Sequence, residues 1–84
     1  MVTFHVKLND IAGVRQFNSA ASRTEYDIDI VSGRYVIDAK SIMGLFSLDL
    51  SRDIQCILHC EERESQRFLD EIREYISGDI VYKN

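Results

Sequence analysis

The sequence predicts an α+β fold in the order β-α-β-β-α-β-α, with a four-stranded antiparallel sheet covered on one face by helices and open on the other. Three observations point there. Four segments alternate apolar and polar side chains, so each offers a single apolar face. Two longer segments space their apolar residues as amphipathic helices do. Packing those helices on the shared apolar face of the strands is the economical way to bury both, which gives an open-faced sandwich.

The first strand is "VTFHVKL" (2–8), with Phe4, Val6 and Leu8 on one side and His5 and Lys7 on the other. Asn9 or Asp10 can cap a helix over 10–22, whose inner stripe is Ile11, Val14, Phe17 or Asn18, and Ala21. "EYDIDIV" (25–31) alternates again with its aspartates facing water, Ser32-Gly33 is a hairpin-turn signal, and "RYVIDA" (34–39) returns as the third strand. A short helix follows over about 42–47. "DIQCILHC" (53–60) is the fourth strand, with Ile54, Cys56, Leu58 and Cys60 on one face. A last helix is predicted over about 63–77, where Phe68, Leu69, Ile72, Tyr75 and Ile76 fall at helical spacing and Gly78 ends the helix. Ile80, Val81 and Tyr82 lie in a short tail with no place assigned by the sequence.

Eighty-four residues read as one domain spanning 1–84, since no second core fits in so short a chain. The composition, 45% hydrophobic and 29% charged, is that of an ordinary globular protein. A net charge of −4 with both signs scattered argues against nucleic acid or an anionic membrane as partner. No apolar run is long enough to span a bilayer and no signal peptide is evident, so the chain reads as cytoplasmic. Cys56 and Cys60 would stand roughly 13 Å apart along one strand face, too far for a disulfide, and zinc-ligand spacing is absent. Both read as buried, reduced thiols. No metal or other cofactor is called for.

The stretch "AKSIMGLFSLDLS" (39–51) departs from routine. Ser41 stands where a helix N-cap belongs, so its hydroxyl can accept a backbone N–H of the first turn. Ile42, Met43, Leu45, Phe46 and Leu48 follow within a few positions, more apolar surface than one short turn can bury beneath it. Some of them are therefore expected at the surface as a docking patch. The competing explanation is plain stability: serine is a favoured cap, and Met43 and Phe46 could be core.

The order of elements, together with Lys40-Ser41-Ile42-Met43-Gly44 and the following Leu45, Phe46, Ser47 and Leu48, resembles the HPr family. Those are the small phosphocarrier proteins of the bacterial phosphoenolpyruvate-dependent sugar phosphotransferase system. The resemblance implies a sheet order of 1-4-2-3. It also implies that Ser41 matches the regulatory serine of Gram-positive members, modified by a dedicated HPr kinase/phosphorylase, and that Ile42, Met43 and Phe46 match the patch on which partners dock, with Lys40 beside it. A phosphate on Ser41 would place added negative charge at the start of a helix, where it is tolerated.

The family's catalytic signature is a Gly-(Ile/Leu)-His-Ala-Arg-Pro run at the start of the first helix. Here that region reads "KLNDIAGVRQ", and matching through Ala21-Ser22 puts Asp10 where the histidine stands, Ala12 at the arginine and Gly13 at the proline. A phosphohistidine carrier needs an imidazole nitrogen beside N–H or cationic donors. His5 and His59 are the only imidazoles, and both fall in predicted strands opposite the apolar stripes. Asp10 could form an acyl phosphate, but that chemistry enlists Mg²⁺ held by further carboxylates, which do not adjoin it. Helix capping accounts for Asp10 without it. Arg15, one turn on, is the cation that could stand in for the missing arginine.

The leading expectation is thus a regulatory or adaptor protein rather than an enzyme, related to histidine-less HPr paralogues of carbon catabolite control. It would bind a protein partner, such as HPr kinase/phosphorylase or a transcriptional regulator, through 41–48. Two other readings stay open: a phosphoryl carrier using a non-standard acceptor, and a structural domain that dimerises through the same patch.

Overall fold

In a computed structural model, residues 1–83 are described. The elements are β1 (Val2–Val6), α1 (Ile11–Ser22), β2 (Ile28–Ser32), β3 (Tyr35–Asp38), α2 (Ile42–Phe46), β4 (Ile54–Leu58), α3 (Glu62–Glu71), a 3-10 turn (Arg73–Tyr75) and β5 (Ile76–Tyr82). The strands form one antiparallel sheet in the order β3-β2-β4-β1-β5. The predicted order of the first four strands is therefore present, with a fifth strand added on the β1 edge.

Strand alternation sets the two faces. Val2, Phe4, Val6, Ile28, Ile30, Ile54, Cys56 and Leu58 point to the helix side and are buried. Their neighbours, such as Thr3, His5, Asp29, Val31, Gln55 and Ile57, point to the open side, as the period of two requires. Helices α1 and α3 cover the apolar face, and Phe17 meets Phe68 edge to face with ring centroids 5.5 Å apart. From α2 Leu45 is buried in the core and Ile42 packs against it. Helix α3 begins where Glu64 accepts the Glu61 backbone N–H at 3.0 Å. The β2–β3 hairpin turns on Gly33 and Arg34, between the paired Ser32 and Tyr35, and Gly33 takes the left-handed φ of +59° that this tight turn demands.

Several expectations need correction. The last helix does not run to 77: it stops at Glu71, a 3-10 turn follows over Arg73–Tyr75, and the chain then pairs with β1, just past whose end the Lys7 N–H donates to the Tyr75 carbonyl at 2.8 Å. Tyr75 and Ile76 sit at helical spacing, yet they also open a run of alternating residues, and pairing with an available sheet edge prevails over the helical pattern. The tail 76–82 is consequently β5, with Ile80 packed against the core, and Gly78 (φ +77°) lies within this strand rather than ending a helix. The pairing with β1 changes register between Thr3 and His5, next to that glycine. Ile11, expected on the inner stripe, is exposed; the buried residues of α1 are Gly13, Val14, Phe17, Ala20 and Ala21. Finally, β2 starts at Ile28 rather than 25 and β4 ends at Leu58, so His59 lies just past its strand, and Cys60 is half-buried where a buried thiol was expected.

Candidate functional site

Helix α2 is placed by its cap and by one close approach. Ser41 is the N-cap: its backbone is extended, and its Oγ accepts the Gly44 N–H at 3.2 Å. Ser47 closes the other end, donating from its hydroxyl to the Gly44 carbonyl at 2.6 Å. Gly44 faces β3, where a Cβ would come within 2.6 Å of Ile37 Cγ2, so the lack of a side chain lets helix and strand touch. With its inner side held this tightly, the helix turns the rest outward.

What it presents is apolar. Met43 is 76% exposed and Phe46 42% exposed, while Ile42 is half-buried. Ile11 of α1, 60% exposed, lies across a hollow of about 480 Å³ from Phe46; Val14, Arg15, Leu45 and Leu50 complete its lining. The sequence-predicted residues Ser41, Met43 and Phe46 are thus exposed on one short element. Ile11, Arg15 and Leu50 border the same hollow, which the sequence does not reveal: helical spacing puts Ile11 on the inner stripe, and the direction of Arg15 depends on how α1 lies against α2. Lys40 differs from its neighbours. It is half-buried, and its ammonium donates to the Thr24 carbonyl at 3.0 Å, which ties the α2 approach to the α1–β2 loop.

The start of α1 has different chemistry. Asp10 caps the helix, its Oδ1 accepting the Gly13 N–H at 2.8 Å, after Asn9 in a left-handed backbone (φ +62°). Nearby, the Tyr75 hydroxyl donates to Gln16 Oε1 at 2.6 Å, and Gln16 in turn donates to Glu74 at 3.4 Å. Burial first, then the carboxylates Glu74 and Asp10, push the Tyr75 hydroxyl above its usual pKa. This helix start is negatively charged, and among the described residues no cation pairs with Asp10.

The two imidazoles lie elsewhere. His5 Nδ1 meets Asp53 at 2.9 Å, and His59 Nε2 meets Asp29 at 2.9 Å, both pairs solvent-exposed. Cys56 is buried and Cys60 half-buried, both as free thiols, and burial raises the pKa of each. Among the described residues no group of three or more His, Cys, Asp or Glu side chains could hold a metal ion, and no helix is long and apolar enough to cross a membrane.

Comparison with known sequences supplies the deciding observation. The sequence model of the family described as "PTS HPr component phosphorylation site" matches residues 14–78. The chain belongs to the HPr family. Its match begins at Val14, inside α1, and covers α2 and the segment around Ser41 in full. HPr-C-His from Thermoanaerobacter tengcongensis, known from a crystal structure, is similar in fold. The TM-score is 0.70 at 20% identity, over 88% of this chain and 93% of that one. No curated protein sequence matches this chain. The family is one of phosphocarriers of the phosphotransferase system, small proteins that work by contact with other proteins of that system and are not conventional enzymes.

Proposed function

We propose that this HPr-family protein is a regulatory adaptor without carrier activity. It docks a protein partner on the face formed by Ile42, Met43 and Phe46, under control of phosphorylation at Ser41, and works in the bacterial cytoplasm on carbon catabolite control. The observation that carries this reading is the exposure of Met43 and Phe46 beside a solvent-exposed Ser41 hydroxyl. Large apolar side chains left in water next to a modifiable group suit a recognition surface that a charge can switch. Ile11 and Arg15 widen that surface on the α1 side, with Arg15 as its cation. Partners of fitting chemistry are an HPr kinase/phosphorylase and a transcriptional regulator.

In the proposed switch the Ser41 Oγ attacks the γ-phosphorus of ATP. The new O–P bond forms as the bond to the ADP oxygen breaks, and the hydroxyl proton passes to the kinase. The Gly44 N–H that now meets Oγ at 3.2 Å is then available to a phosphate oxygen, so the cap survives the modification.

Loss of the carrier role rests on Asp10. At the position matched to the family histidine stands a carboxylate already engaged as a helix cap, near Glu74 and without a paired cation. A dianionic phosphoryl group brought there would meet like charge. His5 lies on a strand beside Asp53, and His59, two residues before the α3 cap Glu61, is engaged by Asp29 next to further carboxylates at that helix start.

Incubation with an HPr kinase, ATP and Mg²⁺ should add one phosphate by mass spectrometry, and Ser41→Ala should abolish it. Met43→Asp should slow that modification at least about tenfold by disrupting docking of the kinase. No phosphate uptake by the native protein would remove the switch. Phosphate gained from phosphoenolpyruvate through the upstream phosphotransferase enzyme, labile to acid or to hydroxylamine, would restore a carrier function and defeat the adaptor reading.

A further inference from the structure

The arginines divide into two groups. Five of the seven form ion pairs: Arg23 and Arg67 with Glu71, Arg52 with Asp49, Arg63 with Glu61, and Arg73 with Asp70. Among the described residues, Arg15 and Arg34 have no such partner. The chain has 14 acidic residues to 10 basic ones, so unpaired guanidinium groups are not forced by a shortage of carboxylates. The two stand at different hollows. Arg15 belongs to the hollow already described, whereas Arg34 lies at a separate groove.

That groove, about 870 Å³, runs between the β2–β3 turn and the loop after α2. Ile37 and Leu48, both packed against the core, are its apolar lining. Arg34 and Tyr35 border it from the hairpin, and Asp49 and Arg52 from the loop. The tight turn at Gly33 brings the two sides together: a Cβ there would lie 4.0 Å from Arg52 Nη1. Tyr35 is 68% exposed, an aromatic left in water beside two guanidinium groups. Asp49 offsets only one of them: it pairs with Arg52 at 3.5 Å and leaves Arg34 without a carboxylate partner among the described residues. Its carboxylate accepts the Ser51 N–H at 3.0 Å and the Ser51 hydroxyl at 2.6 Å, and these bonds, with Arg52 adding less, hold it below the usual carboxylate range.

We infer that this groove takes an acidic segment of a protein partner, with its carboxylates on Arg34 and Arg52 and its chain laid over Tyr35, Ile37 and Leu48. The inference rests on the reading of α2 as a docking face, since the loop that leaves α2 forms one wall of this groove. Charge selects the occupant. A protein of net charge −4 has here a local excess of cationic groups in a planar, forked geometry that matches carboxylates, beside apolar surface a peptide backbone can cover. A partner held here as well as on Met43 and Phe46 gains from two linked contacts, and its association becomes sensitive to salt.

The test is a titration of isotope-labelled full-length protein with an acetylated hexaglutamate peptide, followed by NMR. The expected result is saturable shifts centred on Gly33, Arg34, Tyr35 and Arg52. Each of Arg34→Ala and Arg52→Ala should weaken the binding about threefold, and Arg34→Glu with Arg52→Glu should abolish it. Met43→Asp should leave it unchanged, so that loss of docking on α2 and loss of the groove are read separately. Shifts that are absent, spread over the whole surface, or retained in the double variant would overturn the inference. So would the same residues shifting on dilution without peptide, which would assign the groove to a second copy of the chain.

Discussion

Helices α1 and α2 start in the same way, each on a polar side chain that accepts the N–H of a glycine three residues on: Asp10 from Gly13, Ser41 from Gly44. In both, the glycine is where the helix presses on the chain that precedes it. A Cβ at Gly13 would overlap the Leu8 carbonyl oxygen, and one at Gly44 would crowd the Ile37 side chain. The surroundings then diverge. The α1 cap is a carboxylate among further acidic groups, beside the turn that leads into β5. The α2 cap is a neutral hydroxyl facing solvent, followed by exposed Met43 and Phe46. Similar backbone geometry thus supports a carboxylate at one helix start and a neutral hydroxyl at the other. Capping alone does not distinguish a site from a structural helix start; what surrounds the cap does.

The sharpest way to break the likeness is to load the two glycines. Gly13→Ala should destabilise by about 3 kcal/mol, because the obstacle is a backbone carbonyl that cannot turn aside. Gly44→Ala should cost about 1 kcal/mol, since Ile37 can shift in part and alanine favours the helix. Urea unfolding of both variants measures the difference. Equal losses would mean that the α2–β3 contact is as rigid as the one under α1, which would leave less freedom for a docking helix to adjust.

A smaller effect separates the caps themselves. Asp10→Ala should cost about 1 kcal/mol and Ser41→Ala about 0.5 kcal/mol. The carboxylate bond is the shorter, 2.8 Å against 3.2 Å, and it is charge-assisted. If Ser41→Ala proved the more damaging in denaturant, Ser41 would be chiefly a structural residue, and any functional defect of that variant would have to be read as a folding defect.

How far these features could be read from the chain follows the range of the interactions behind them. Four strands and the starts of α1 and α2 rest on local patterns, alternation in "VTFHV" or "DIQCIL" and a capping residue before an apolar run, and they stand close to where those patterns put them. β5 was out of reach because its stability comes from pairing with the opposite end of the chain. The Met1 amino group and carbonyl both bond Lys83, and nothing local in "YISGDIVY" decides between a helix end and a strand. Ile11 misled for a related reason: helical spacing gives an apolar stripe, but how wide a stripe is covered depends on the neighbouring elements. The site divides in the same way. Ser41, Met43 and Phe46 lie within one turn and were legible together. The nearness of Ile11 and Arg15 to Phe46, or of Gly33 to Arg52, comes from tertiary packing.

The subtlest expected difference concerns the charge at the α1 start. The Tyr75 hydroxyl is held above its ordinary value of 10.0, first by burial and then by Glu74 and Asp10. A raised folded-state value means that the native protein holds this proton when the unfolded chain has lost it. The associated stability is therefore complete below the unfolded value near 10 and declines as pH rises through the folded one. Glu74→Gln and Asp10→Asn should each bring Tyr75 down toward its ordinary value without removing the burial contribution, and asparagine should keep the α1 cap. Alkaline titration of the tyrosine ring signals by NMR reads the shift directly. If neither variant moved Tyr75, the α1 start would lack the negative field assigned to it. The contrast with the neutral cap of α2 would then reduce to the identity of the capping atom, and Asp10 would no longer be an electrostatic obstacle to a phosphoryl group.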